Sequence, residues 1–161
     1  MIRPICAAAL FFVAAPLLAQ TQGAASAPAV QANLMAPGLR VTDINRSIAF
    51  YGAALGLVPA TTLHHGPVTE VMLCADSKAG KLALILMRDE TPGKSPPIDL
   101  GNGFEKIVMR VPDLTAVVSR MKAAGYPVGD VRSNTGGPSV LMIRDPDGYS
   151  YELVGNGPSH G

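Results

Sequence analysis

From about Met35 onward the apolar residues keep two rhythms, one helical and one extended, and the two alternate in a fixed order. Leu39 to Val41 reads as a short strand, and Ile44, Ile48, Phe50, Tyr51 and Leu55 follow at the spacing of one helical face. Thr42 or Asp43 is placed to cap that helix and Gly56 to end it. Three extended segments come next, about Pro59 to His65, Val68 to Ala75 and Lys81 to Arg88, with a turn over Asp76 to Gly80. A linker rich in Pro and Gly, Asp89 to Asn102, carries neither rhythm. The order then returns. Glu105 to Val111 reads as a strand, Asp113 caps a helix through Leu114, Val117, Val118 and Met121, and Gly125 ends it. Short strands are expected near Val128 to Ser133, Ser139 to Arg144 and Tyr149 to Val154. The last is entered through Asp145-Pro146-Asp147-Gly148, whose proline and glycine suit a tight type I turn. One helix per run of strands predicts an α+β fold of two βαβββ modules rather than a doubly wound parallel sheet.

The modules share a phrase as well as a rhythm. Leu39-Arg40-Val41-Thr42-Asp43-Ile44 returns as Met109-Arg110-Val111-Pro112-Asp113-Leu114, and each copy runs into a helix ending at Ala-Leu-Gly or Ala-Ala-Gly. A residue required by chemistry in one module should therefore have a counterpart in the other.

Before this paired region the pattern changes in kind. Met1-Ile2-Arg3 is a short basic start, and Cys6 to Ala19 is apolar without a charge, the layout of a signal peptide over residues 1–19. That run is too short to span a bilayer. Cleavage is expected after Ala19 or, alternatively, near Ala25-Ser26-Ala27, and residues 20–34 read as a flexible leader. The protein is thus expected to be exported, periplasmic or secreted, with no membrane contact after cleavage. An apolar helix kept as an anchor is the alternative.

The chain has 161 residues with 48% apolar content, enough for one domain with a sizeable core. Of 13 Lys and Arg, Arg3 leaves with the signal peptide, and the remaining twelve balance 12 Asp and Glu. A net charge of zero points to neither nucleic acid nor an anionic membrane as partner. Cys74 would be the one cysteine of the mature chain, in the apolar run Val71 to Cys74, so no internal disulfide helps the fold and a buried inert thiol is expected. The chain has no Gly-x-Ser-x-Gly elbow, no phosphate-binding glycine loop and no dinucleotide fingerprint.

The phrase from Leu39 to Ile44, with Ser47-Ile48-Ala49-Phe50-Tyr51, Leu55-Gly56-Leu57 and the stretch Asp145-Pro146-Asp147-Gly148-Tyr149-Ser150-Tyr151-Glu152-Leu153, resembles the vicinal oxygen chelate superfamily. That superfamily includes glyoxalase I, extradiol dioxygenases, and the bleomycin and fosfomycin resistance proteins. The resemblance implies a single domain over residues 35–156, with module one about 35–88, the linker 89–102, module two about 103–154 and a tail at 157–161. It implies a curved, partly closed sheet around a cleft, completed within one chain or across a homodimer.

The resemblance also implies a divalent metal (Zn, Ni, Mn or Fe) held by one residue from the first and one from the last strand of each module. Glu152 matches the final ligand. The other three positions fall on Ala36, on Lys106 and, with an uncertainty of about one residue, on Leu84. An alanine methyl and a leucine carry no lone pair, and an ammonium has none at neutral pH. One ligand of four is not a metal site, so no cofactor is expected.

His64, His65 and Glu70 could rebuild such a site, but consecutive strand residues face opposite sides, so at most one of the two histidines enters the cleft. Counting in twos places Ala36, Gly38 and Arg40 on one face, Lys106, Val108 and Arg110 on another, and Ser150 with Glu152. On that reading Lys106 pairs with Glu152 and takes over the charge-balancing role of the metal; the alternative is a lysine extended to solvent over a surface Glu152. Arg40 and Arg110 occupy matching places, suited to a carboxylate or phosphate of a ligand, or to bonds with nearby backbone or Asp. The expected function is a cleft that binds a small molecule without the usual metal, as in the bleomycin resistance branch. The alternative is a metal-dependent lyase or dioxygenase of the glyoxalase I type with a rebuilt site.

Overall fold

The protein was studied as a computed structural model, which describes residues 32–94, 96–133 and 136–157. The signal peptide expected over residues 1–19, most of the leader and the end of the tail lie outside the described residues. Among the described residues no helix is long and apolar enough to cross a membrane.

Module one runs β1 (Gly38–Arg40), α1 (Ile44–Leu55), β2 (Leu57–His65), β3 (Val68–Ala75) and β4 (Leu82–Asp89). Asp43, in extended conformation, caps α1 by accepting from the Arg46 N–H at 2.9 Å. Gly56 closes the helix in the left-handed region at φ 69°, its N–H returning to the Gly52 carbonyl at 3.1 Å. The four strands lie in the order β1-β4-β3-β2, with β1 parallel to β4 and the other pairs antiparallel.

Module two repeats the plan with β5 (Ile107–Asp113), α2 (Leu114–Ala123), β6 (Ser139–Arg144) and β7 (Ser150–Asn156). Its strand order is β5-β7-β6, and β5 is again parallel to β7. Asp113 caps α2 by accepting from Thr115 N–H at 2.7 Å and Ala116 N–H at 3.2 Å. Asp113→Ala should cost about 1 kcal/mol in denaturant unfolding; an unchanged midpoint would mean that the cap contributes nothing.

One expected strand does not form. Between Val128 and Ser133 the ladder shrinks to a single pairing, Arg132 with Val140. Pro127 has no N–H to give a ladder, and Gly129 has no side chain to pack, so the segment bends away from β6. A hollow of about 380 Å³ lies between residues 127–129 and Met142 and Arg144.

The modules share one core. Leu39, Phe50, Leu84 and Leu86 of the first pack in one buried cluster with Leu114, Met121, Leu141 and Leu153 of the second. Hydrogen bonds cross this boundary at both ends of α1. Near its start the Asp147 carboxylate accepts from Arg46 at 2.7 Å and from the Thr42 hydroxyl at 2.5 Å. In its third turn the Tyr51 hydroxyl donates to Asp145 at 2.6 Å and lies 2.6 Å from the Tyr151 hydroxyl. From the second helix, Arg120 reaches the Gly52 carbonyl at 2.6 Å. The Asp145-Pro146-Asp147-Gly148 turn closes as expected, the Gly148 N–H donating to the Asp145 carbonyl at 3.1 Å.

Candidate functional site

Alternation along the strands separates a core face from an open face. Leu39 on β1, Leu84 and Leu86 on β4, and Tyr151 and Leu153 on β7 are all buried. Their neighbours Gly38, Ile85, Met87, Glu152 and Val154 therefore point the other way, as do Val108 and Arg110 on β5 and Lys106 just before it. Pairing fixes the register across each sheet. Gly38 faces Ile85 in module one and Val108 faces Glu152 in module two. With Leu39 set against Met109, the residue equivalent to Glu152 is Ile85, not the Leu84 expected from counting back to the glycines. Leu84 is fully buried on the opposite face.

On this open face the Lys106 ammonium donates to a Glu152 carboxylate oxygen at 2.5 Å. The hydrogen bond and the charge of Glu152 hold the Lys106 pKa above the usual lysine value of 10.5, so the amine stays protonated and is neither a base nor a nucleophile near neutrality. Glu152 has its charge matched without a metal. Ala36, Ile85 and Lys106 offer no lone pair at the other three positions. The residues present do not fit a divalent ion.

Lys106 and Arg110 line a cavity of about 600 Å³ between β5 and the segment leading into β1. Ala36 lines it as well, and so do Lys81 and Leu82 at the entry to β4. Lys81 carries no sequence signal, because it belongs to no shared phrase and follows a turn.

The structure does not bring Arg40 into that cavity. Arg40 lies in a separate small hollow with Asp89 and Lys94. There the Asp89 carboxyl is held below the usual aspartate value, mainly by hydrogen bonds from Thr91, with Arg40 and Lys94 adding to it. The two histidines part as strand geometry requires. His64 shares a face with Thr69, its Nδ1 3.3 Å from the threonine hydroxyl, whereas His65 shares the open face with Glu70, Nε2 to carboxylate 3.7 Å. Neither lines the cavity. Among the described residues no three of His, Cys, Asp and Glu come together as a group that could hold a metal ion.

The description of the Glyoxalase/Bleomycin resistance protein/Dioxygenase superfamily matches residues 31–153. The chain belongs to this superfamily. It is 30% identical over 122 residues to a probable lactoylglutathione lyase of Vibrio parahaemolyticus, covering 73% of this chain and 86% of the relative. Among solved structures, a glyoxylase/bleomycin resistance protein/dioxygenase domain from a Frankia species superposes with a TM-score of 0.65 at 16% identity, over 81% of this chain and 96% of that one. The trypanothione-dependent glyoxalase I of Leishmania major does so with a TM-score of 0.61 at 24% identity, over 78% and 87%. At these identities the structural likeness speaks for the fold alone.

Membership of the superfamily gives the cross-module contacts their meaning. Thr42, Arg46, Tyr51, Asp145, Asp147 and Tyr151, all within or beside the motifs that carry the resemblance, tie the modules together. None of them lines the cavity under Lys106 and Arg110. The recognisable residues thus tie the two modules together and stand apart from the cavity.

Proposed function

We propose that this protein is an exported superfamily member that binds a small molecule in its cleft without the divalent metal that the resemblance implies. The observation that carries this reading is the Lys106–Glu152 pair, in which the one matched ligand position is already neutralised by an ammonium at another. A metal entering there would have to displace a hydrogen-bonded cation and would meet hydrocarbon at Ala36 and Ile85. Export rests on the N-terminal pattern of a basic start and a short uncharged apolar run.

The relatives' name, lactoylglutathione lyase, supplies the competing reading of an enzyme. A superfamily lyase would use its metal as a Lewis acid on vicinal oxygens, and the cleft residues offer no way to hold one. Purified protein supplemented with Ni(II) or Zn(II) should leave S-lactoylglutathione formation from methylglyoxal and glutathione at the buffer rate. Metal-stimulated turnover that disappears in Glu152→Gln would return the protein to the lyases.

A further inference from the structure

The cavity between β5 and the segment leading into β1 has an uneven charge. Three cations line it, Lys81, Lys106 and Arg110, and no Asp or Glu does. Lys106 is neutralised by Glu152 from the neighbouring strand. Among the described residues neither Lys81 nor Arg110 is in an ion pair. Two uncompensated cations therefore border a concave site, and an uncharged guest that covered them would strip their water without replacing it.

The rest of the lining is apolar and open to solvent. Met35 is 75% exposed and Val108 57%, and both border the cavity together with Leu82 and Met109. Exposed side chains of this size, gathered in a concavity rather than scattered, mark a surface that gains by being covered. A volume of about 600 Å³ lies in the range of small-molecule sites.

We propose that the ligand is an amphipathic oxyanion, with an apolar body lying on Met35 and Val108 and a carboxylate or phosphate group taken by Arg110 and Lys81. This rests on the reading of a metal-independent binding cleft and adds the class of ligand. The planar fork of Arg110 donates to two oxygens of either anion, and Lys81, next to the start of β4, supplies a second, point-like charge. The Lys106–Glu152 pair is neutral as a unit and keeps Glu152 from repelling the anion.

Calorimetric titrations in the presence of a chelator test this, with octanoate, octyl phosphate and octanol as probes. Octanoate or octyl phosphate should bind and octanol should bind at least about tenfold more weakly. Which of the two anions binds more tightly identifies the head group. Arg110→Met and Lys81→Met, which keep the hydrocarbon stems, should each weaken the anion about tenfold or more, and added salt should weaken it further. Both side chains are exposed, so neither variant should disturb folding, and each serves as an independent check on the other.

Equal affinity for octanol and octanoate, unchanged in both variants, would overturn the anion proposal and leave metal-independent binding standing. Absence of binding by both anions at about millimolar concentration would also overturn it. Anion binding that appears only after Zn(II) or Ni(II) is added would overturn the metal-independent reading and this proposal with it.

Discussion

Tyr51→Phe should destabilise the folded protein by about 2–3 kcal/mol near neutral pH, although it removes one oxygen atom and no hydrophobic volume. Asp145 is only 5% exposed, and its carboxylate relies on three donors: the Tyr51 hydroxyl at 2.6 Å, the Asp147 N–H at 3.0 Å and the Tyr149 N–H at 2.8 Å. Deleting the hydroxyl leaves a buried carboxylate short of a donor and the Tyr151 hydroxyl short of a partner. Because the bond joins α1 of one module to the β6–β7 turn of the other, the loss falls on the contact between modules.

The same variant carries a pH signature. Burial, the strongest influence on Asp145, pushes its carboxyl above the usual aspartate value of 3.8, against hydrogen bonds that pull it down. The folded protein thus holds this proton more tightly than the unfolded chain does. The group's contribution to stability is fully present below 3.8 and is lost as pH rises through the raised folded value. Tyr51→Phe removes a hydrogen bond that favours the ionised form, so its cost should shrink in acid, where Asp145 is protonated, and be largest near neutrality. Denaturant unfolding of both proteins across that range measures it. A cost independent of pH would show that the hydroxyl acts through its contact with Tyr151 and not through Asp145.

The second large effect concerns the cleft. Ala36→His, Ile85→Glu and Lys106→His together, with Glu152 kept, should create a four-ligand site and raise Ni(II) or Zn(II) affinity by at least about a thousandfold, about 4 kcal/mol. The same set with Leu84→Glu in place of Ile85→Glu should fail, because Leu84 is fully buried and a carboxylate there enters the core. Calorimetric titration with Zn(II) separates the two designs. Equal metal affinity in both would contradict the strand register, and no gain in either would contradict the placement of the four positions on one face.

Much of the scaffold was legible in the sequence because local chemistry and tertiary need agree there. Asp43 and Asp113 cap the helices they precede, Gly56 takes a left-handed conformation, and the proline and glycine of residues 145–148 sit where a turn requires them. The strand expected over residues 128–133 reduces to one pairing because Pro127 and Gly129 weaken the ladder at its start, a local signal that the apolar residues around them mask. The position equivalent to Glu152 was misplaced by one residue for a related reason. Leu82 to Met87 is apolar throughout, so no alternation marks its face, and the register shift between Leu73 and Cys74 spoils a count from the turn. Pairing with β1 settles it in favour of Ile85.

The candidate site was legible in part. Alternation, together with the ligand positions that the resemblance implies, put Lys106 and Glu152 within reach of each other, and the structure brings them together. It also separated His64 from His65. The symmetry of Arg40 and Arg110 in the shared phrase did not carry through to one shared cavity, because the end of β4 and the segment after it bring Asp89 and Lys94 to Arg40 and leave Arg110 open. Lys81 joins the cavity through tertiary placement only.

Metal content of the purified mature protein tests the central claim most directly. Prepared without chelator and measured by elemental analysis, the protein should carry Zn, Ni, Mn and Fe each well below one atom per chain, and Glu152→Ala should change nothing. One equivalent of any of these metals, lost on Glu152→Ala, would contradict the account of a cleft in which Lys106 stands where a metal would be.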